Sequence, residues 1–205
     1  MAHQLPDARR PFPDGVARIH CIGIGGIGVS AVARGAMELG YLITGSDVRE
    51  SQITEALRRD GASVHIGHDA AHVQGADVVV FSTAVPETNP ELIAARDAGI
   101  PVRHRAELLG HLLDGHRYSV GVVGTHGKGT VSSAISWMMD HAGHSPGFIV
   151  GGLLENFPGL NARLTDRELV VAEVDESDGS LRHVHPNLIV INNLEADHLN
   201  YYDSL

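Results

Sequence analysis

The chain has 205 residues, of which 43% are hydrophobic and 20% charged, with a formal net charge of −10. That length allows two domains, that composition excludes a disordered chain, and the acidic balance excludes the basic stripe of a general nucleic-acid binder. No stretch approaches the ~20 apolar residues of a membrane span, Met1–Asp14 lacks the apolar segment of a secretory signal, and a cytoplasmic protein is expected.

Residues 1–14, with three prolines and the adjacent Arg9 and Arg10, read as a flexible lead-in. Strand and helix patterns then alternate. Ala17–Ile24 is a buried-strand run that contains the single cysteine, Cys21, which reads as a small core residue. Ile27–Leu39 has helical spacing, Tyr41–Gly45 reads as a strand, Ile53–Asp60 as a helix, and Ser63–His65 as a strand. Asp77–Ser82 is a strong apolar strand, followed by a helix at Pro90–Ala98, a strand at Val102–His104 and a helix at Ala106–Leu113. The polar turn Asp114-Gly115-His116-Arg117 is a candidate boundary. Beyond it the pattern restarts with strand Ser119–Val123, helix Thr130–His141, and strands Phe148–Val150, Leu169–Glu173 and Leu188–Ile191.

Such alternation predicts an α/β fold with right-handed crossovers. The expected architecture is a Rossmann-like N-terminal domain with a parallel sheet, residues 15–115, then a P-loop-type α/β central domain, residues 116–205. The second domain reads as incomplete, because nothing after Ile191 closes the sheet and an open sheet exposes an unpaired edge. Further chain is therefore expected to follow.

Two glycine loops carry the chemistry. Gly23-Ile24-Gly25-Gly26-Ile27-Gly28 fits G-x-G-x-x-G between a strand and a helix, where glycines permit a tight turn and the helix N-terminus offers N–H groups to a diphosphate. Asp47, after the second strand, is placed to hydrogen-bond a ribose or a base edge. An NAD(P) site and a nucleotide-sugar diphosphate site both satisfy this pattern, as does a bare structural turn; the loop does not separate the first two.

Gly124-Thr125-His126-Gly127-Lys128-Gly129-Thr130 also lies between a strand and a helix. Backbone N–H groups there can cradle phosphates and Lys128 can reach the β and γ oxygens. It departs from the strict P-loop pattern, with Val122 six residues before Lys128 and Gly129 after it, so Thr130 stands one residue late for the usual Mg²⁺ contact. Two polar clusters follow strands: Glu173-Val174-Asp175-Glu176-Ser177-Asp178 and Asn192-Asn193-Leu194-Glu195-Ala196-Asp197-His198. Parallel strands gather their C-terminal ends on one side, so Lys128, these carboxylates and His198 are expected to converge as an Mg²⁺–triphosphate constellation. A solvated acidic loop is the plain alternative for 175–178.

In this order, Ile22–Gly28, Gly45-Ser46-Asp47, Ser82-Thr83-Ala84-Val85, Asn89-Pro90-Glu91, Arg105-Ala106-Glu107, Gly124–Lys128, Glu173–Ser180 and Glu195–His198 closely resemble the Mur ligase family. The resemblance runs from about Ile19 to Leu205. It implies that the first loop binds a UDP-diphosphate, with Asp47 near the uridine and Ser82, Thr83, Arg105 and Asn193 on the UDP-substrate side beside Gly23, Gly25, Gly26, Ile27 and Gly28. It implies ATP and Mg²⁺ at 124–130, with Lys128, Glu173 and His198 catalytic and Thr130, Glu173 and His198 toward the metal. The implied activity is ATP-dependent joining of L-alanine to the carboxylate of UDP-N-acetylmuramate through an acyl phosphate, in peptidoglycan precursor synthesis. A tripeptide-recycling ligase on the same UDP-sugar and a non-catalytic nucleotide-sugar-binding fragment are the alternatives. The family's third, C-terminal domain has no counterpart in the chain. Gly129 departs from the usual Thr and resembles the folylpolyglutamate synthase branch. His65, His68 and His72, with metal-like spacing, and His183 and His185, alternating along a possible strand, read as surface or hydrogen-bonded residues.

Overall fold

A computed structural model describes residues 12–154, 157, 159–164, 168–177 and 179–195. The first sheet contains β1 (Arg18–Ile22), β2 (Leu42–Asp47), β3 (Ser63–Ile66), β4 (Val78–Phe81) and β5 (Val102–His104), in the order β3-β2-β1-β4-β5 and parallel throughout. Both faces of its middle are covered by helices, which is why β4 reads as an unbroken apolar run and β1 is buried from Ile19 to Ile22. Cys21, Ile19 and Val78–Val80 are fully buried, and burial pushes the Cys21 thiol up to about 12, so it stays a protonated core residue.

The connecting helices are α1 (Ile27–Glu38), α2 (Gln52–Arg59), α3 (Pro90–Asp97) and α4 (Arg105–Asp114). Their starts divide into two kinds. Side chains cap α2 (Ser51), α3 (Asn89) and α4 (His104, with Glu107 completing a capping box). Helix α1 begins at Gly26 with no side-chain cap and no acid in its first turn.

The chain leaves the first sheet through Gly115-His116-Arg117 and enters a second, built from β6 (Tyr118–Val123), β7 (Gly147–Ile149), β8 (Ala162–Arg163), β9 (Leu169–Glu173) and β10 (Leu188–Ile191). Its order is β10-β6-β9-β7-β8, parallel except that β8 runs antiparallel to β7. One helix, α5 (Lys128–His141), links β6 to β7. It too lacks a side-chain cap and starts from Gly127 at φ 77°, a left-handed conformation that favours glycine. On the edge strand β10, Leu188, Ile189 and Ile191 are exposed.

A continuous apolar cluster joins the sheets, running from Ile19, Val32 and Leu112 to Ile149, Val170 and Val184. Phe12, placed by the sequence in a flexible lead-in, belongs to it and stacks on His111 at 4.7 Å. The expected strand around His183 and His185 is not formed: Ser180–His183 is a 3-10 turn launched by Gly179 at φ 76° and packed on α4.

The histidines near β3 surround a carboxylate. Glu91, fully buried at the start of α3, accepts from Ser46 Oγ at 2.5 Å and meets His72 Nδ1 at 2.7 Å and His68 Nδ1 at 3.1 Å. Burial raises its pKa, but His20, Ser46 and His72 outweigh that and hold it at about 2, against 4.5 for a free carboxyl. A carboxyl depressed by folding stabilises fully above its unfolded pKa and loses that contribution as pH falls toward its folded one. Glu91 should therefore contribute on the order of 3 kcal/mol above about pH 5, lost between there and pH 2. Urea unfolding at pH 6 should separate wild type from Glu91→Gln by that amount, and the gap should close near pH 2.

Candidate active site

The first glycine loop is held from both sides. Gly23 N and Ile24 N donate to Ser46 O at 2.8 and 3.0 Å, and Gly26 N closes the turn on Gly23 O at 2.9 Å. Asp47 Oδ2 accepts Gly25 N at 2.8 Å, and a Cβ on Gly25 would lie 2.8 Å from that same oxygen. Asp47 thus shapes the loop and still borders the cavity beside it. Arg105, at the start of α4, lies across Gly28: a Cβ there would sit 3.3 Å from Nη1. Its Nη2 donates to Asp175 Oδ2 at 2.9 Å, so it joins the first loop to the acidic cluster of the second sheet.

The second loop is fixed by the segment after β10. Asn193 Oδ1 accepts His126 N at 2.9 Å, while Asn192 Nδ2 and Asn193 Nδ2 donate to His126 O at 2.6 and 2.8 Å. Lys128 Nζ donates to Gly124 O at 2.7 Å and to Glu176 Oε1 at 2.9 Å. Glu173 ends β9 between two glycines: Gly151 N donates to its Oε2 at 2.6 Å, and a Cβ on Gly151 or Gly129 would come within 2.8 or 3.3 Å of that oxygen. Gly129 thus sits against Glu173, whose carboxylate would have to give by a few tenths of an ångström to admit a side chain there.

Two cavities meet at this carboxylate. One, of about 530 Å³, runs from Gly23, Gly26, Ile27, Gly28, Asp47, Ser82 and Arg105 to Val150, Gly151, Glu173 and Asp175. The other, of about 420 Å³, is lined by Gly129, Thr130, Ser133, Leu153, Phe157 and again Gly151 and Glu173. Of the residues expected on the UDP side, Gly25 acts through Asp47, Thr83 is exposed outside the cavity lining, and Asn193 lies against the Lys128 loop instead of the first loop. Gly124, Thr125, His126 and Gly127 form the expected turn before α5. His198 lies outside the described residues. The sequence reading missed Gly151 as the donor to Glu173, Ser133 beside Thr130, and the Lys128–Glu176 pair. The Gly151-Gly152 step, one residue past the end of β7, was the available signal for the first.

Among the described residues no group of three or more His, Cys, Asp or Glu side chains is placed to cage a metal. Glu173 with the hydroxyls of Thr130 and Ser133 is a hard-oxygen set of the kind that holds Mg²⁺ together with substrate phosphates. No helix among the described residues is long and apolar enough to cross a membrane.

The Mur ligase family catalytic domain matches residues 18–117 and the Mur ligase middle domain matches residues 122–205. The chain belongs to the Mur ligase family. It is 45% identical over 190 residues to the UDP-N-acetylmuramate–L-alanine ligase of Geotalea daltonii, covering 93% of this chain and 41% of that one. The UDP-N-acetylmuramate–alanine ligase of Thermotoga maritima superposes with a TM-score of 0.84 at 32% identity, over 91% of this chain and 43% of the other. The UDP-N-acetylmuramate:L-alanyl-γ-D-glutamyl-meso-diaminopimelate ligase from Neisseria gives 0.83 at 33%, over 92% and 64%. The chain thus spans about two fifths of the length of the curated Geotalea daltonii relative.

Proposed function

We propose that this chain carries the UDP-sugar-binding and ATP-binding parts of a ligase that joins L-alanine to the carboxylate of UDP-N-acetylmuramate, in the cytoplasm, on the path to peptidoglycan. Residues 15–115 serve the UDP-substrate and residues 116–205 the ATP. The supporting observation is the cavity with the first glycine loop at one end and Glu173 at the other. A nucleotide-sugar held by its diphosphate on the first loop extends toward the carboxylate and the start of α5. A dinucleotide reading leaves the Lys128 loop and Glu173 without a role. Identity of 45% to the alanine ligase of Geotalea daltonii supports alanine as the incoming group, while the two solved structures, at 32% and 33%, do not separate alanine from the tripeptide.

A carboxylate resists attack by an amine because its charge is delocalised and oxide is a poor leaving group. In the proposed reaction a carboxylate oxygen of the muramoyl group attacks the γ-phosphorus of ATP and ADP departs. The alanine amine then attacks the acyl carbon, loses a proton, and inorganic phosphate departs. Phosphoryl transfer of this kind depends on positioning and charge neutralisation. Gly124–Thr130 and Lys128 hold the phosphates, Lys128 exchanging Glu176 for them. Gly23, Gly25, Gly26, Ile27, Gly28, Asp47, Ser82, Thr83 and Arg105 serve the UDP end, while Asn193 holds the ATP loop in shape. Mg²⁺, when bound, supplies charge neutralisation, and Glu173, Thr130 and His198 are its residues.

Thermal unfolding with ligand tests this reading. A ligand present at a hundred times its Kd stabilises by about 2.7 kcal/mol, which for a chain of this size is roughly 5–10 °C. UDP-N-acetylmuramate and Mg-ATP should each produce such a shift and NADH none. A shift with NADH in place of the UDP-sugar would sink the assignment. Both shifts without alanine-dependent ADP release would make the chain a binding module.

A further inference from the structure

We propose that Asn161 is a positioning residue that sets the span between the first glycine loop and the Glu173 carboxylate. The assignment rests on the functional reading above and concerns a residue that lines neither cavity. Asn161 Nδ2 donates to Ser30 Oγ at 2.9 Å and to Ile27 O at 3.3 Å, both in the first turn of α1, directly after the loop. Its Oδ1 accepts Arg34 Nη1 at 2.5 Å, and Arg34 is itself fixed by Asp60 through Nε at 3.0 Å. Asn161, Ser30 and Arg34 are 1%, 0% and 6% exposed, so water does not compete for these bonds.

The backbone of the same residue leads to the other end. Asn161 O accepts Val150 N at 2.8 Å, and the next N–H, that of Gly151, donates to Glu173 Oε2 at 2.6 Å. Loop and carboxylate are therefore joined by one helical turn, one amide side chain, one strand pairing and one peptide unit. Both halves of the amide are used, an acceptor toward Arg34 and a donor toward α1. Only Asn has this pair of groups at this length. Asp keeps the Arg34 bond but turns a second acceptor on Ile27 O, and Ala leaves Ile27 O, Ser30 and Arg34 without these bonds.

A ligand confined to the first loop does not sense that span, whereas a ligand reaching Glu173 does. Titration calorimetry in Mg²⁺ buffer with UDP and with UDP-N-acetylmuramate separates the two. In wild type the muramoyl sugar should bind more tightly than UDP. In Asn161→Asp that advantage should shrink at least tenfold while the Kd for UDP stays within twofold. Asn161→Ala should behave alike, and Ser30→Ala, which removes one acceptor of Asn161 together with the Ser30 Oγ bond to Ile27 O, should lose about threefold. Loss of both affinities together in Asn161→Asp and Ser30→Ala would mark a merely structural bond and overturn the assignment, as would an unchanged advantage. A wild type without preference for UDP-N-acetylmuramate would overturn the functional reading first, and this assignment with it.

Discussion

Replacing Lys128 by alanine is expected to weaken Mg-ATP binding about 30–150-fold, the equivalent of about 2–3 kcal/mol for charge-assisted hydrogen bonds to phosphate. Lys128 is the first residue of α5, after a left-handed glycine and at an uncapped helix start, so in the proposed site its ammonium and the helix N-terminus would serve the same phosphates. The ammonium is already engaged: Glu176 Oε2 lies 2.8 Å away and Gly124 O 2.7 Å away. A phosphate must displace Glu176. This gives the prediction a second arm of opposite sign, because Glu176→Gln removes the competing charge and should tighten Mg-ATP binding a few-fold. Titration calorimetry with a non-hydrolysable ATP analogue reads both. Affinity within threefold of wild type in Lys128→Ala would remove this residue from the phosphate site, and a loss in Glu176→Gln would mean that the carboxylate assists the nucleotide instead of competing with it.

The two glycine loops were legible in the sequence because their signal is local: apolar strand, glycines, helical spacing, all within a dozen residues. Parallel order followed from the alternation, and the strands β1, β4, β6 and β9 were found for the same reason. What was not legible depends on chain that is distant in sequence. The strand β8 is two residues long, Ala162–Arg163, and exists only by pairing antiparallel with β7. Asn161 meets Arg34 across 127 positions, and no spacing rule reaches that far. Asn193 looked like a substrate residue through resemblance, but its amide matches the donor and acceptor of His126, which the parallel pairing of β10 with β6 brings alongside. His68 and His72 had the spacing of metal ligands, and their real partner, Glu91, lies on α3, beyond a further strand. Periodicity tells which face of an element is buried; it does not tell what the buried polar atoms will meet.

The same limit applies to Gly110, where substitution by alanine should be more damaging than helix propensity suggests. Alanine at a mid-helix glycine ordinarily gains about 1 kcal/mol. In α4, however, a Cβ at position 110 would stand 2.2 Å from His183 O and 3.3 Å from His183 C. The obstacle is backbone and has no rotamer to escape into, so α4 and the 3-10 turn at Ser180–His183 must separate. That seam adjoins Val184 in the common core. Overpacking costs about 1–3 kcal/mol, and an obstacle that cannot move belongs at the upper end; less the propensity gain, about 2 kcal/mol remains, so Gly110→Ala should lower Tm by roughly 4–8 °C for a chain of this size. Gly35 in α1 provides the comparison. A Cβ there would meet the flexible ends of Leu164, Leu112 and Ile149, at 3.2, 3.3 and 3.6 Å. The propensity gain and the mild crowding nearly cancel, so Gly35→Ala should leave Tm within about 3 °C of wild type. Both substitutions add the same methyl group to the interior of a helix, so their difference in a thermal melt isolates what that methyl meets. Equal shifts would mean that α4 and the turn yield more easily than a direct backbone contact allows.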